Sequence, residues 1–182
     1  GFIALDDIDA THATAVVASE SGSVDIQSVY AEELRVHLVR GRVVAVNVLA
    51  GEGIRLRTDV GSVFVQNATL SCAGVTVPVS ARPANCSVQV RSRLGDIYLT
   101  DVGPGITTAD CQQCRISASV LDDSFSGNYT LHSGVSQAVV AGRVRAVSPH
   151  AHTTHRTQFC CCRYSISFTA KFWRTLHTHT PH

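Results

Sequence analysis

Four cysteines in the body of the chain are the residues best placed for covalent chemistry: Cys72, Cys86, Cys111 and Cys114. They can pair in three ways, and the most local pairing joins Cys72 to Cys86 and Cys111 to Cys114. The alternatives are a four-thiolate zinc site and a thioredoxin-type redox motif at Cys111-Gln-Gln-Cys114. No βαβ pattern surrounds that motif, and Cys72 and Cys86 lie too far apart in sequence for a usual zinc pair. We therefore expect disulfides that staple inserted loops, and neither a metal nor a cofactor.

Carboxylates are the second group that could do chemistry. Hydrolysis of a polysaccharide needs two carboxyl groups about 5 to 9 Å apart, one as acid and one as base or nucleophile. The outward-facing candidates are scattered along the chain: Asp25, Asp59, Asp96, Asp101, Asp122 and Asp123. Matching segments hold Ser62 and Asn128 at the place of Asp96, and neither can be a second acid. We expect no catalytic residues and keep a polysaccharide-active β-helix enzyme, a lyase or hydrolase, as the alternative.

Two clusters carry residue types that bind metals. Asp6-Asp7-Ile8-Asp9 could ligate Ca²⁺, but the glycine and the downstream glutamate of an EF-hand are missing, which favours a solvated turn. The tail could bind a soft metal through His150, His152 and His155 or through residues 160–162, which are all cysteine. A histidine-rich tract is only compositional evidence, so we predict that residues 149–182 are disordered or artefactual.

Arginines alternate with apolar residues in two segments, which places them on the exposed face of strands: Arg35, Arg55, Arg57, Arg91 and Arg93. Such a stripe could grip acidic glycans. The alternative, which we favour, is a solvated face in which they pair with nearby carboxylates: Glu32, Glu33, Asp59 and Asp96. His37 and His132 are expected at the surface rather than as ligands.

Three glycosylation sequons bear on the compartment, at Asn67, Asn85 and Asn128. Together with the loop cysteines they favour an extracellular or cell-surface location. The chain contains no methionine, so we expect that its natural N-terminus is missing and that a signal peptide can be neither found nor excluded.

Charge and hydropathy exclude several classes of protein. Of the 182 residues, 45% are hydrophobic and 16% are charged, and no apolar run could span a bilayer. Residues 1–148 hold 11 of the 15 basic residues and all 14 acidic residues, a formal net charge of −3. This balance offers no phosphate-binding patch, so we expect no nucleic-acid partner.

A short sequence phrase is repeated along the chain. It consists of a glycine, alternating apolar residues, and a small polar residue six places after the glycine. The strands that it predicts must position the groups described above. We find it at Gly22, Gly41, Gly61, Gly95, Gly127 and Gly142. The polar residues form a predicted turn column: Ser28, Asn47, Asn67, Asp101, Ser133 and Ser148. Recurrence at about 20 residues indicates stacked coils.

A second strand lies between successive phrases, within residues 34–38, 54–58, 88–91 and 116–120. The steps from Gly61 to Gly95 and from Gly95 to Gly127 are 34 and 32 residues, which predicts two inserted loops. Val24, Val43, Val63 and Ile97 should form one inward column. We therefore predict an all-β, right-handed β-helix or β-solenoid with one strand on each face and coils of about 20 residues.

Residues 20–148 resemble the adhesin domains of bacterial surface proteins and their eukaryotic relatives, including the heads of autotransporter adhesins. The resemblance rests on the phrase Gly-x-Val-x-Val-x-Asn and on residues 54–65. It implies a β-helix without known catalytic residues. The predicted organisation is a lead-in over residues 1–20, an adhesin-like solenoid over 21–148 and the tail over 149–182. The predicted function is a non-enzymatic structural or binding module for an unknown protein or glycan surface.

Overall fold

The computed structural model describes residues 1–73, 86–103, 105–120, 127–133, 138–142, 157–159 and 167–169. The described residues contain no α-helix, so the all-β prediction is confirmed. The elements are β1 (Phe2–Val60), β2 (Val63–Leu70), the 3-10 turn η1 (Ser71–Ala73), β3 (Ser87–Leu94), β4 (Ile97–Val102), β5 (Gly105–Gln113), β6 (Ile116–Val120), β7 (Gly127–Ser133), β8 (Ala138–Gly142), β9 (Thr157–Phe159) and β10 (Ser167–Thr169).

The long β1 segment is not one straight strand, because its backbone changes direction at residues of positive φ. Among them are Gly22 at 130°, Gly41 at 139° and Asn47 at 54°. Such values interrupt the extended conformation, which lies at negative φ. The chain therefore turns several times within β1 while its backbone stays paired.

One sheet contains all ten strands, in the order β10-β7-β5-β3-β1-β2-β4-β6-β8-β9. Pairing among β1 to β8 is parallel and forms two ladders on either side of β1. We call β1-β2-β4-β6-β8 the first ladder and β1-β3-β5-β7 the second ladder. In the first ladder Val43 lies opposite Val63, Val63 opposite Ile97, and Ile97 opposite Ile116.

The core consists of the apolar residues that alternate along these strands. Val24, Val43, Val63 and Ile97 are at most 1% exposed, and the last three are direct neighbours across the first ladder. The predicted inward face of the phrase is therefore confirmed. Leu56 and Val90 are buried partners in the second ladder, as the alternation with arginine predicts.

Glycine is required at the start of the first four phrases for two reasons. Gly22, Gly41, Gly61 and Gly95 all have positive φ, which a residue with a Cβ adopts only under strain. A Cβ at any of them would also overlap the backbone carbonyl group of the preceding glycine in the series, which begins at Gly1. We call this stack of five the glycine column.

The glycine column does not continue to Gly127, contrary to the sequence-based prediction. Gly127 lies opposite Gly105 in the second ladder, and Gly142 lies opposite Val120. Ile97 lies opposite Ile116. Gly95 lies two residues before Ile97, and Cys114 lies two residues before Ile116. Cys114 therefore takes the next place in the column after Gly95. The step from Gly95 to Cys114 is 19 residues, so the predicted second inserted loop is wrong.

The strands on either side of Cys114 differ from the prediction. Segment 116–120, predicted among the second strands, is β6 of the first ladder. The second ladder instead contains β5, which the sequence pattern did not predict. Its buried side chains are Thr107, Ala109 and Cys111, which are small or polar and give a weak signal of a core-facing strand.

The predicted polar column is correct in part. Ser28, Asn47, Asn67 and Asp101 all have positive φ, with values of 50° to 54°. Asp7 has the same conformation at 53°, so the acidic segment 6–9 contains one of these turns. Ser133 lies opposite Cys111 in the second ladder and does not belong to the column. Ser148 lies outside the described residues.

Strands lie in both terminal segments of the predicted organisation. Residues 2–20 belong to β1, and Gly1 accepts a backbone hydrogen bond from Ser23 at 3.0 Å. In the tail, β9 pairs antiparallel with β8, and β10 with β7. The rest of residues 149–182 lies outside the described residues.

Candidate binding face

The outer side of the second ladder positions the predicted arginines. In β1, Arg55 and Arg57 alternate with the buried Ile54 and Leu56, and in β3 Arg91 follows the buried Val90. Successive side chains of a strand point to opposite faces, so burial of one set exposes the other. This exposed side, with Arg35 and Arg93, is called the arginine face below.

Like charges lie directly opposite each other on this face. Arg57 is the register partner of Arg91, and Arg91 is the partner of Asp110. Adjacent strands are about 4.8 Å apart, and like charges at that spacing destabilise a sheet. Asp59 lies 3.3 Å from Arg57, and Asp110 lies 4.0 Å from Arg91. These partly exposed pairs offset the repulsion only in part.

Glu33 forms a more buried ion-pair cluster with two neighbouring arginines. Its carboxylate is hydrogen-bonded to Arg35, and its Oε1 lies 3.3 Å from Nε of Arg55. The contact to Arg55 lacks hydrogen-bond geometry, so it is an ion pair only. The residue is 7% exposed. The hydrogen bond from Arg35 lowers the pKa of Glu33, as does the charge of Arg55, while burial acts in the opposite direction.

A groove opens beside the more exposed ion pairs of Arg57 and Arg91, with a volume of about 360 Å³. Its side chains include Arg57, Arg91, Arg93, Asp59, Asp110 and Gln112. Arg93 is exposed, and within the described part of the chain it has no carboxylate in ion-pair contact. The groove therefore holds three guanidinium groups against two carboxylates.

The predicted pairing of the arginines with carboxylates is thus correct for Glu33 and Asp59 but wrong for Asp96. Asp96 lies on the first ladder, where it accepts hydrogen bonds from the Arg115 backbone N–H at 2.9 Å and from the Tyr98 hydroxyl at 3.1 Å. The bond to Asp96 raises the pKa of Tyr98, and burial adds to the effect.

An aromatic stack on the first ladder was not anticipated from the sequence. The rings of Phe64 and Tyr98 are 4.6 Å apart between centroids and nearly parallel. Arg42 lies over the Phe64 ring at 4.6 Å, within cation–π range. The signal was present, because both aromatic residues occupy the same place in the glycine phrase.

The cysteines form two disulfides, Cys72–Cys86 and Cys111–Cys114, with Cα–Cα distances of 5.9 and 5.8 Å. The first closes the segment between η1 and β3, as expected of a loop staple. The second joins Cys111, in β5, to Cys114, which lies between β5 and β6. It therefore lies within the ladders rather than in an inserted loop. Among the described residues, no group of three or more histidine, cysteine or acidic side chains could hold a metal ion.

The remaining sequence-predicted residues are dispersed. Asn67, a predicted glycosylation site, is exposed and donates a 2.7 Å hydrogen bond from Nδ2 to Oδ1 of Asn47. Asn128 lies in β7, and Asn85 falls outside the described residues. His37 and His132 are exposed, as predicted. Asp25 and Asp101 are half-buried on the first-ladder side. The other candidates lie outside the described residues: Asp122, Asp123, His150, His152, His155, Cys160, Cys161 and Cys162.

No protein-family model matches the chain, and no curated protein and no solved structure matches it. Among the residues that the structure describes, no helix has the length and apolar character needed to cross a membrane.

Proposed function

We propose that the chain is a β-solenoid whose exposed strand faces act as a non-enzymatic binding or structural module of the adhesin type. The solenoid interpretation is supported by the register. Strands that lie side by side are 19, 20 or 22 residues apart, except where the segment closed by Cys72 and Cys86 raises the offset to 34. Parallel neighbours at a constant offset are what successive coils produce.

The arginine face is the observation that carries the binding role. Arg57 and Arg91 are opposed and more than half exposed, and their carboxylate partners are themselves partly exposed, so both guanidinium groups can contact an anionic partner. The rest of the ladder supplies rigidity, because buried side chains such as Leu56 and Val90 fix the strands that carry these arginines.

The state of the carboxylates argues for binding rather than polysaccharide cleavage. A general acid needs a raised pKa, whereas the pKa of Glu33 is lowered by its arginine partners. Asp59 is engaged by Arg57 and Asp96 by Tyr98 and Arg115. Two disulfides in so small a part of the chain are typical of oxidising compartments, which supports the extracellular or cell-surface location within this proposal.

Turnover measurements test the proposal directly. The full chain is incubated with pectin, alginate and chitin polymers, and reducing ends and unsaturated products are measured over time. We expect no products. Product formation that Asp59→Asn or Asp96→Asn abolishes, while each variant keeps the wild-type melting temperature, would establish the enzyme alternative.

A further inference from the structure

We propose that the groove bounded by Arg57, Arg91 and Arg93 binds the carboxylate or sulfate groups of an acidic polysaccharide. This inference rests on the proposed binding function and names its ligand class. The groove has a volume of about 360 Å³ and combines three guanidinium groups with two carboxylates and the amide of Gln112.

The molecule itself contains a template for this contact. Elsewhere on the arginine face, the Glu33 carboxylate forms ion pairs with both Arg35 and Arg55. Arg57 and Arg91 are opposed in neighbouring strands, and the carboxylates that pair with them, Asp59 and Asp110, are 27% and 48% exposed, so no buried carboxylate is shared by these two arginines. A carboxylate or sulfate of a ligand would occupy the place that Glu33 occupies beside the other pair. Guanidinium groups suit such oxyanions because their planar N–H donors match two oxygens at once.

Arg93 extends the site along the strand. It lies two residues after Arg91 on the same side of β3, about 6.6 Å further on. Its side chain is exposed, and among the described residues no carboxylate is in ion-pair contact with it. A second anionic group on the same polymer can therefore contact Arg93 while the first contacts Arg57 and Arg91.

The acceptors in the groove favour a polysaccharide over nucleic acid. Asp59, Asp110 and Gln112 can accept hydrogen bonds from sugar hydroxyl groups, which an acidic polysaccharide offers between its charges. A DNA strand carries a phosphate at every nucleotide and almost no hydroxyl groups, so it offers these acceptors few hydroxyl donors. An acidic polysaccharide offers both anionic groups for the arginines and hydroxyl groups for the acceptors.

Calorimetric titration of the full chain tests the proposal with four probes: polygalacturonate as a carboxylate polymer, dextran sulfate as a sulfate polymer, neutral dextran and a thymidine oligonucleotide. We expect binding to one or both acidic polysaccharides that weakens as salt is raised to about 0.15 M, and none to dextran. Which acidic probe binds more tightly identifies the anionic group. Failure of both to bind at low salt, or tighter binding of the oligonucleotide, would overturn the proposal.

Variants expected to weaken or to strengthen polysaccharide binding distinguish a specific site from non-specific electrostatic attraction between the chain and the polymer. Arg91→Gln and Arg93→Gln should each weaken polysaccharide binding by about tenfold, the effect of one lost charge-assisted hydrogen bond. Asp110→Asn should strengthen it, because the removed carboxylate repels the ligand. Arg115→Gln makes the same charge change on an exposed residue of the first ladder and should have little effect. Equal losses in Arg115→Gln and Arg93→Gln would refute the site.

Product formation is followed in the same titrated samples. Cleavage of the polymer would refute the non-enzymatic function whatever the affinity. Absence of binding without cleavage would refute only the acidic ligand and leave the binding-module proposal standing. Melting curves of each variant show whether a loss of binding comes from unfolding.

Discussion

The turn that leads into the glycine column, called a corner below, is stabilised in two different ways in this molecule. In two copies a buried hydroxyl closes it: Thr58 donates to the Gly41 carbonyl at 3.5 Å, and Ser92 donates to the Gly61 carbonyl at 3.1 Å. Three residues after each hydroxyl comes the next glycine of the column. In the following copy the same two places hold Cys111 and Cys114, and a disulfide joins them.

The difference shows that one corner can be held by backbone conformation or by a covalent bond. Gly61 and Gly95 have φ values of 142° and 124°, whereas positive φ among the described non-glycine residues does not include Cys114. A cysteine with a Cβ therefore avoids the glycine conformation, and the disulfide replaces the contact that hydroxyl and glycine make elsewhere. A close glycine stack and a cross-link are two solutions to the same turn.

The largest effect is expected at the glycine corners. Gly61→Ala places a Cβ where the Gly41 carbonyl lies, at a φ that only glycine adopts without strain. We expect a loss of about 3 kcal/mol or more in the free energy of unfolding, since strain and overlap act together. Urea denaturation measures it. Gly51→Ala is the matched control, because its Cβ would lie 3.3 Å from the Glu32 Cα and its φ is not positive. Similar losses in the two variants would contradict the role of the glycine column.

Replacing the disulfide corner by a glycine corner tests whether the two solutions are interchangeable. Removal of the Cys111–Cys114 link in the variant Cys111→Ser/Cys114→Ser should cost about 2 kcal/mol, the chain-entropy value for so short a loop. Cys111→Ser/Cys114→Gly should recover about half of that loss, because it recreates the Ser92 and Gly95 arrangement. Both variants are compared by thermal melting without reductant. If the glycine variant is no more stable than the serine variant, the corners are not equivalent.

The hydroxyl corners should respond to loss of their hydrogen bonds by a smaller amount. Ser92→Ala removes the 3.1 Å bond to the Gly61 carbonyl and should cost about 1 kcal/mol. Thr58→Val removes a longer bond of 3.5 Å and keeps the side-chain volume, so it should cost less. Chemical denaturation of the two variants side by side provides the measurement. A larger effect in Thr58→Val would show that packing, rather than the hydrogen bond, holds this corner.

The smallest effect concerns pH and separates the corners from the arginine face. Corner contacts are uncharged, whereas the arginine face holds Glu33 ionised with a lowered pKa. The stabilisation from Glu33 is therefore complete above its unfolded pKa of about 4.3 and is lost as the pH falls through the lower folded pKa. We expect the melting temperature to fall more steeply below pH 4 in the wild type than in Glu33→Gln. Parallel curves would show that Glu33 contributes no pH dependence.

Sequence alone predicted the strand faces but not the assembly of the second half. The inward places of Val43, Val63 and Ile97 followed from alternation, because side chains of an extended chain must point to opposite faces. The stripe formed by Arg55, Arg57 and Arg91 followed for the same reason. Neither inference required knowledge of which strand pairs with which.

Pairing beyond Gly95 could not be obtained from spacing, because the next residue in the glycine column's place is Cys114, whereas the glycine pattern points to Gly127. Gly127 fits the phrase locally, yet its strand pairs with β5, and β5 itself was hidden by small side chains. The ion pair between Glu33 and Arg55 could not be predicted either, since these residues are 22 places apart in sequence.

Local pattern thus determined the all-β class, the buried face of each strand and the need for glycine at the turns, because these depend on the conformation of single residues and their immediate neighbours. Tertiary structure alone decided the register after Gly95, the position of the Cys111–Cys114 disulfide and the groove beside Arg57, Arg91 and Arg93. The register and the groove arise where backbone hydrogen bonds pair residues that are about 20 or more places apart in sequence, and the same register sets Cys111 opposite Ser92 and so places the disulfide in the ladder.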